Sequence, residues 1–302
     1  MAKLRFDGKV VLVTGAGRGA GRSHALMLAA RGARVVVADP GVSIDGAGFS
    51  SGPADEVVAE IKAAGGEAIA SYESVSEEKG AAAMVAAALD SFGRLDAVIN
   101  NAGIAKPERF EDHTADEFRR MIDVHYFGTV YVCQAAWSHF MANGGGRIVN
   151  TVSEGVMGTL PKTTAYGGAK GAVIGLTLNM AQEGVKYGIS VNGFAPRVAS
   201  RMSTPEVLGN VHDQPPERFA SLGNKFMPEL CSPAAIYLAH ESCLLNGAML
   251  VCGGGRVMRM GFWQNEGLTS ANLTIEEIAA GIDRIADYGT AAEVAVGMPM
   301  RG

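Results

Sequence analysis

The chain lacks any uninterrupted apolar run of about eighteen residues, the length a membrane-spanning helix requires. Its first residues, Met1-Ala-Lys-Leu-Arg-Phe-Asp7, contain no apolar signal region. Cysteine is scarce: Cys133, Cys231, Cys243 and Cys252 are the four in 302 residues, and none falls in a paired metal-ligand spacing. No metal is expected, and the thiols should be reduced and mostly buried. An excess of basic residues is also missing, and a formal charge of −5 argues against nucleic acid as a partner. The final Met300-Arg-Gly302 is not the peroxisomal Ser-Lys-Leu signal. These absences predict a soluble, cytoplasmic protein that handles a small molecule.

What the chain does have is an alternation of strand and helix patterns from Lys9 to about Gly255, which predicts an α/β fold with a Rossmann-type, doubly wound parallel sheet. Residues 1–255 are read as one domain and 256–302 as a C-terminal helical extension. Lys9-Val-Val-Leu-Val13 is a short β-branched run. It leads into Thr14-Gly-Ala-Gly-Arg-Gly-Ala-Gly21 and then into the helical pattern Ser23-His-Ala-Leu-Met-Leu-Ala-Ala30. Strand, glycine turn and helix form a dinucleotide cradle, because glycine lets the backbone approach a pyrophosphate that rests on unpaired N–H groups at the helix start. Gly15, Arg18, Gly19, Ala20 and Gly21 are the candidate contacts. Asp39 closes the next strand, 24 positions after Gly15. A carboxylate there bonds ribose hydroxyls and repels a 2′-phosphate, so NAD is favoured over NADP. Arg18, which can pair with a phosphate, is the counter-signal.

Tyr166 and Lys170 are four residues apart, hence on one face of a helix. An ammonium group beside a phenol favours the phenolate and lowers its ordinary pKa of about 10, which makes Tyr166 a candidate general acid/base. Ser153 lies just after the buried-strand pattern Arg147-Ile-Val-Asn-Thr151, where its hydroxyl can hold the oxygen that is oxidised or reduced. A Tyr-xxx-Lys pair alone is weak, since both residues share helix faces by chance. The glycine turn raises its weight.

Gly15-xxx-Gly19-x-Gly21, Asn100-Asn-Ala-Gly103, Ser153, Tyr166 and Lys170, in this order, resemble the short-chain dehydrogenase/reductase family. The resemblance implies that the nicotinamide lies beside Tyr166 and Ser153, that Lys170 binds its ribose, and that Asn101, Ala102 and Gly103 line the adenine-ribose side. It also implies that Ser74 and Val75 touch the adenine, with Ser74 standing where many relatives carry aspartate. Val198 and Ser200 would bond the carboxamide. His125 replaces the asparagine that most relatives have in a helix kink holding a proton-relaying water. Either the imidazole joins the relay, or it is a packed histidine between helix and sheet.

Arg5-Phe-Asp-Gly8, Val124-His125, Ala195-Pro-Arg-Val-Ala-Ser-Arg-Met202 and His240-Glu-Ser-Cys243 are similar to a narrower group, the dehydrogenase domains of peroxisomal multifunctional enzymes of type 2. That likeness implies oxidation of (3R)-3-hydroxyacyl-CoA to 3-ketoacyl-CoA, or of a steroid 17β-hydroxyl, by a separate enzyme. Other secondary alcohols, and a non-catalytic NAD-binding regulator, are the alternatives. A CoA substrate calls for a basic entrance, for which Lys106, Arg109, Lys162, Arg197 and Arg201 are candidates. The glycine- and serine-rich segment 41–53 is expected to be a mobile loop near the adenine end, and the proline-rich stretch between Ser203 and Pro228 a substrate lid. Thr114-Ala-Asp-Glu117 should cap a helix reaching roughly to Met141, and Thr274-Ile-Glu-Glu277 a helix in the tail. Ile275, Ile278, Ile282 and Ile285 mark that tail helix's apolar face, which needs its own domain or a partner subunit to cover it. Relatives assemble as dimers or tetramers, so a homodimer or homotetramer is expected.

Overall fold

The computed structural model describes residues 3–294. Short runs rich in valine, isoleucine and alanine form the strands β1 (Val10–Thr14), β2 (Arg34–Ala38), β3 (Glu67–Ser71), β4 (Ala97–Asn100), β5 (Gly146–Thr151), β6 (Ile189–Pro196) and β7 (Met249–Gly253). They pair in parallel in the order β3-β2-β1-β4-β5-β6-β7, and β8 (Arg256–Met260) adds an antiparallel edge to β7. Every residue of β1 and β4 is buried. Continuous burial is what a parallel sheet covered on both faces demands, and it is why these strands read as unbroken apolar runs rather than alternating ones.

The principal helices are α1 (Gly19–Ala29), α2 (Gly52–Ala63), α3 (Glu78–Phe92), α4 (Ala115–Ile122), α5 (Gly128–Ala142), α6 (Thr164–Gly184), α7 (Pro205–His212), the single turn α8 (Leu222–Lys225) and α9 (Ser232–Ala239). Leu28, Val57, Ile61 and Leu238 from α1, α2 and α9 fill one face of the sheet around Phe194. Met84, Val85, Val132, Phe140 and Ala181 from α3, α5 and α6 fill the other. Because β1 runs on to β2 on one side while β4 lies on its other side, the chain reverses direction across the sheet there. A crevice opens beyond the carboxyl ends of β1 and β4, the usual ligand site of open α/β sheets.

The helix expected from Thr114 has its reciprocal capping box with Glu117. It is not uniform, because a π-helical turn at Asp123–Phe127, centred on His125, separates α4 from α5. The segment 41–53, expected to be a mobile loop, is tied down, its last residues opening α2: Ala105 N–H donates to Ile44 O at 3.0 Å, Ser50 N–H to Pro40 O at 2.9 Å and Arg201 to Val42 O at 3.0 Å. These partners are distant in sequence, which is why composition alone suggested a free loop. The division at residue 255 falls in the turn between β7 and β8, so β8 extends the sheet. Beyond it come the hairpin β9 (Trp263–Gln264) and β10 (Ala292–Glu293), then between them α10 (Ile275–Ala280), with the expected Thr274–Glu277 box, and α11 (Ile282–Ala286). Ile275 stays 78% exposed and Ile282 52%, so among the described residues nothing covers this part of the tail's apolar face. All four cysteines are free and buried. No helix among the described residues is long and apolar enough to cross a membrane.

Candidate active site

A cleft of about 390 Å³ lies at the crevice beside β1 and β4. Its size falls within the range of cofactor and small-molecule sites. Gly15 takes φ 63° and Gly19 φ 53°, backbone that suits glycine, and a Cβ on Gly15 would lie 2.8 Å from the Ala102 Cα. Gly15, Arg18, Gly19 and Ala20 all face the cleft. Gly21 does not: a Cβ there would sit 2.1 Å from the Gly15 carbonyl oxygen, so this glycine serves the packing of α1 against the turn. Arg18 precedes α1 without a side-chain cap, and the first turn carries no acidic residue, which leaves its N–H groups for an anion. That donor set fits a dinucleotide pyrophosphate.

Asp39 lies at the cleft wall, 7% exposed. Both its oxygens already accept backbone N–H groups, Oδ2 from Gly17 at 2.8 Å and Oδ1 from Gly41 at 2.7 Å. It therefore clamps the glycine turn to the segment after β2, while each oxygen keeps a second lone pair for a ribose hydroxyl. Asn101 has a similar holding function. Its side chain donates to the carbonyls of Thr14 and Gly15 at 3.0 Å each, while the N–H groups of Asn101 and Ala102 both donate to Thr14 Oγ1 at 3.1 Å. Ala102, Gly103, Ser74, Val75, Val198 and Ser200 line the cleft, and Ser74 shares a 2.8 Å hydroxyl contact with Ser76. Val42, Ile44 and Gly46 roof it, a role that sequence reading missed because it depends on the long-range ties of segment 41–51.

Tyr166 and Lys170 project from α6 into the same cleft, with the Lys170 Nζ 5.9 Å from the tyrosine ring centre. Ser153 ends the segment after β5. Its Oγ accepts the Gly155 N–H at 3.0 Å, and Gly155 brings the hydroxyl to the side of the Tyr166 ring. Lys170 donates to the Thr151 carbonyl at 2.6 Å. Burial lowers the Lys170 ammonium to about 7, and burial raises the Tyr166 phenol above its ordinary value despite the opposing influence of the Ser153 hydroxyl. The expected lowering of the phenol is thus not produced by the protein groups alone, because desolvation penalises both charged forms.

His125, 1% exposed, packs edge-to-face on Tyr166 with ring centres 5.2 Å apart. Its Nε2 donates to the Ile104 carbonyl at 2.8 Å, and Nδ1 is buried without a partner among the described residues. Burial, reinforced by the nearby Lys170 charge, lowers the imidazole to about 3. The ring is neutral at ordinary pH. Of the residues expected to make a basic entrance, Lys106 pairs with Glu117, Arg109 and Lys162 with Asp213, and Arg197 bidentately with Glu154 at 2.6 and 2.7 Å. Arg201 instead bonds a backbone carbonyl beside the cleft.

Residues 9–207 match the model of the short chain dehydrogenase family. The chain belongs to that family. As a short-chain dehydrogenase it is an oxidoreductase acting on CH–OH groups with a nicotinamide cofactor. It is 41% identical over 94% of its length to a protein described as a short-chain type dehydrogenase/reductase from Mycobacterium tuberculosis, and spans 96% of that relative. It is 39% identical over 96% of its length to peroxisomal multifunctional enzyme type 2 of Mus musculus, but spans only 38% of that longer protein. A solved 7α-hydroxysteroid dehydrogenase complexed with NADH and 7-oxo glycochenodeoxycholic acid superposes with TM-score 0.71 at 29% identity, covering 84% of this chain and 98% of its own.

Proposed function

We propose that this short-chain dehydrogenase oxidises (3R)-3-hydroxyacyl-CoA thioesters to 3-ketoacyl-CoA with NAD, acting in the cytoplasm as a homodimer or homotetramer. The observation that carries the substrate class is the 39% identity to the multifunctional enzyme across 96% of this chain, tail included. NAD rather than NADP is supported by Asp39, whose carboxylate lines the cleft at the end of β2. When bound, the nicotinamide accepts hydride, and its positive charge in the oxidised form favours the phenolate. Tyr166 takes the hydroxyl proton and Ser153 holds the substrate oxygen. Lys170, fixed by the Thr151 carbonyl, would reach the nicotinamide ribose and offset the desolvation of the phenolate.

His125 fits a positioning role better than a proton carrier. Its Nε2–H is committed to Ile104, and an imidazole lowered to about 3 takes up little proton near neutral pH. The second capacity, a steroid or other secondary-alcohol substrate, is favoured by the fold likeness to the 7α-hydroxysteroid dehydrogenase. The exposed Ile275 and Ile282 support a tail that packs on a partner subunit.

A substrate panel tests this reading. Purified protein is expected to form NADH from (3R)-3-hydroxyacyl-CoA and little from the (3S) isomer, with NAD preferred to NADP. Turnover confined to free steroids, or strict NADP use, would overturn the respective assignment. NAD binding with no turnover of any alcohol would favour a regulatory protein.

A further inference from the structure

We propose that the Lys162–Asp213 ion pair is a latch that holds α7 beside the substrate side of the site and so positions the acyl chain of a long substrate. The substrate half of this statement rests on the dehydrogenase reading above.

Among the described residues, Lys162 with φ 57° and Asp213 with φ 52° are the non-glycine positions in left-handed backbone. Such conformations persist only where the surroundings hold them, and they gather at clamps and switches. Here the two strained residues hold each other. The Lys162 Nζ lies 2.6 Å from Asp213 Oδ1 and also donates to the Asn210 carbonyl at 2.6 Å. That carbonyl belongs to the last turn of α7, so one ammonium both caps the helix end, where a cation is favoured, and neutralises the residue that terminates it. Arg109 approaches the other carboxylate oxygen at 3.5 Å. Lys162 Nζ and its neighbour hold the Asp213 carboxyl below its ordinary range. The lysine side chain is 11% exposed and that of Asp213 63%, so the pair has a shielded ammonium and a solvent-facing carboxylate.

The latch joins the two sides of the site. Arg201 and Met202 line the cleft, and the chain then passes through Thr204, whose hydroxyl caps α7. On the opposite side, Lys162 lies two residues before α6, the helix that carries Tyr166, and its carbonyl accepts the Glu108 N–H at 2.9 Å. With the latch closed, α7 therefore bridges from the loop after β6 to the approach of the catalytic helix. No residue of α7 lines the cleft itself, so in this proposal the bridge meets a long acyl chain that extends past Arg201 and Met202. Lys162, expected at a basic entrance, and Asp213, within the expected lid, thus become one device.

Lys162→Met and Asp213→Asn test this in the full chain; asparagine tolerates left-handed backbone, so the second variant keeps the fold while removing the charge. Hydrogen exchange of the α7 amides is expected to speed up by roughly three- to ten-fold in both variants, the range for a half-exposed ion pair combined with a helix-end contact. The KM for a long-chain (3R)-3-hydroxyacyl-CoA should rise by a similar factor, about three- to ten-fold. The kcat and the KM for (3R)-3-hydroxybutyryl-CoA should change little. Unchanged exchange overturns the latch whatever the substrate is. Faster exchange with an unchanged long-chain KM overturns its positioning role. If the wild type turns over neither thioester, the dehydrogenase substrate assignment fails, while the exchange result still decides the latch.

Discussion

Burial sets the charge states around Tyr166 in the absence of ligand, and the same rule governs a second histidine that does not line the cleft. Lys170 is lowered to about 7 and His125 to about 3 by the cost of charging a group out of water. His24, a fully buried residue of α1 that faces α9, is likewise lowered to about 3; its Nδ1 meets the Ser232 hydroxyl at 2.8 Å and Nε2 has no partner among the described residues. For a group neutral in the fold until about pH 3 and protonated at about 6.5 when unfolded, the unfolded chain binds more protons between those values. Stability therefore falls as pH is lowered through that window, by about 2 kcal/mol per such histidine at pH 5. Denaturant unfolding at a series of pH values checks this. His24→Gln should reduce the slope of stability against pH by about one proton between roughly pH 6 and 4. An unaltered slope would mean that His24 is charged in the fold. Tyr166, Lys170 and Ser153 were legible because helix periodicity and a strand end place them. His24 was not, since its partner lies 208 residues away.

At the scale of elements, the glycine turn, Asp39 and Asn101 form one mutually braced unit. Gly21→Ala would drive a methyl group to 2.1 Å from the Gly15 carbonyl oxygen and 2.5 Å from the Asn101 side-chain nitrogen. That overlap is expected to cost about 2–3 kcal/mol of stability and to weaken NAD binding, because the turn must open to accommodate it. Thermal unfolding and NAD titration measure both; wild-type values in each would show that the turn relaxes freely. Strand, turn and helix here were readable because local chemistry alone dictates them. The π turn at His125 was readable only as a residue that departs from the family's usual asparagine, since an added residue per turn leaves no compositional mark. The roof made by segment 41–51 depended on Arg201 and Ala105, which no local pattern links to Val42 and Ile44.

At the scale of the whole molecule, strand order explains why the functional residues meet. Glycine turn, Asn101, Ser153 and α6 follow β1, β4 and β5, three adjacent strands whose carboxyl ends share one edge of the sheet. The alternating pattern made this architecture legible, because parallel strands with crossover helices admit few topologies. The tail was less so. Its capping box at Thr274 was visible, yet β8 joined the main sheet and Ile275, Ile278 and Ile282 stayed exposed among the described residues, because a periodic apolar face does not name the surface it packs on.

The central claim, that Tyr166 is the acid/base of an NAD-dependent hydride transfer, is tested most directly by comparing wild type with Tyr166→Phe for NADH formation from (3R)-3-hydroxyacyl-CoA, with NAD affinity measured in parallel. The account predicts a loss of kcat on the order of 10²–10⁴-fold with NAD affinity retained. A phenylalanine variant that turns over within a few-fold of wild type would contradict it.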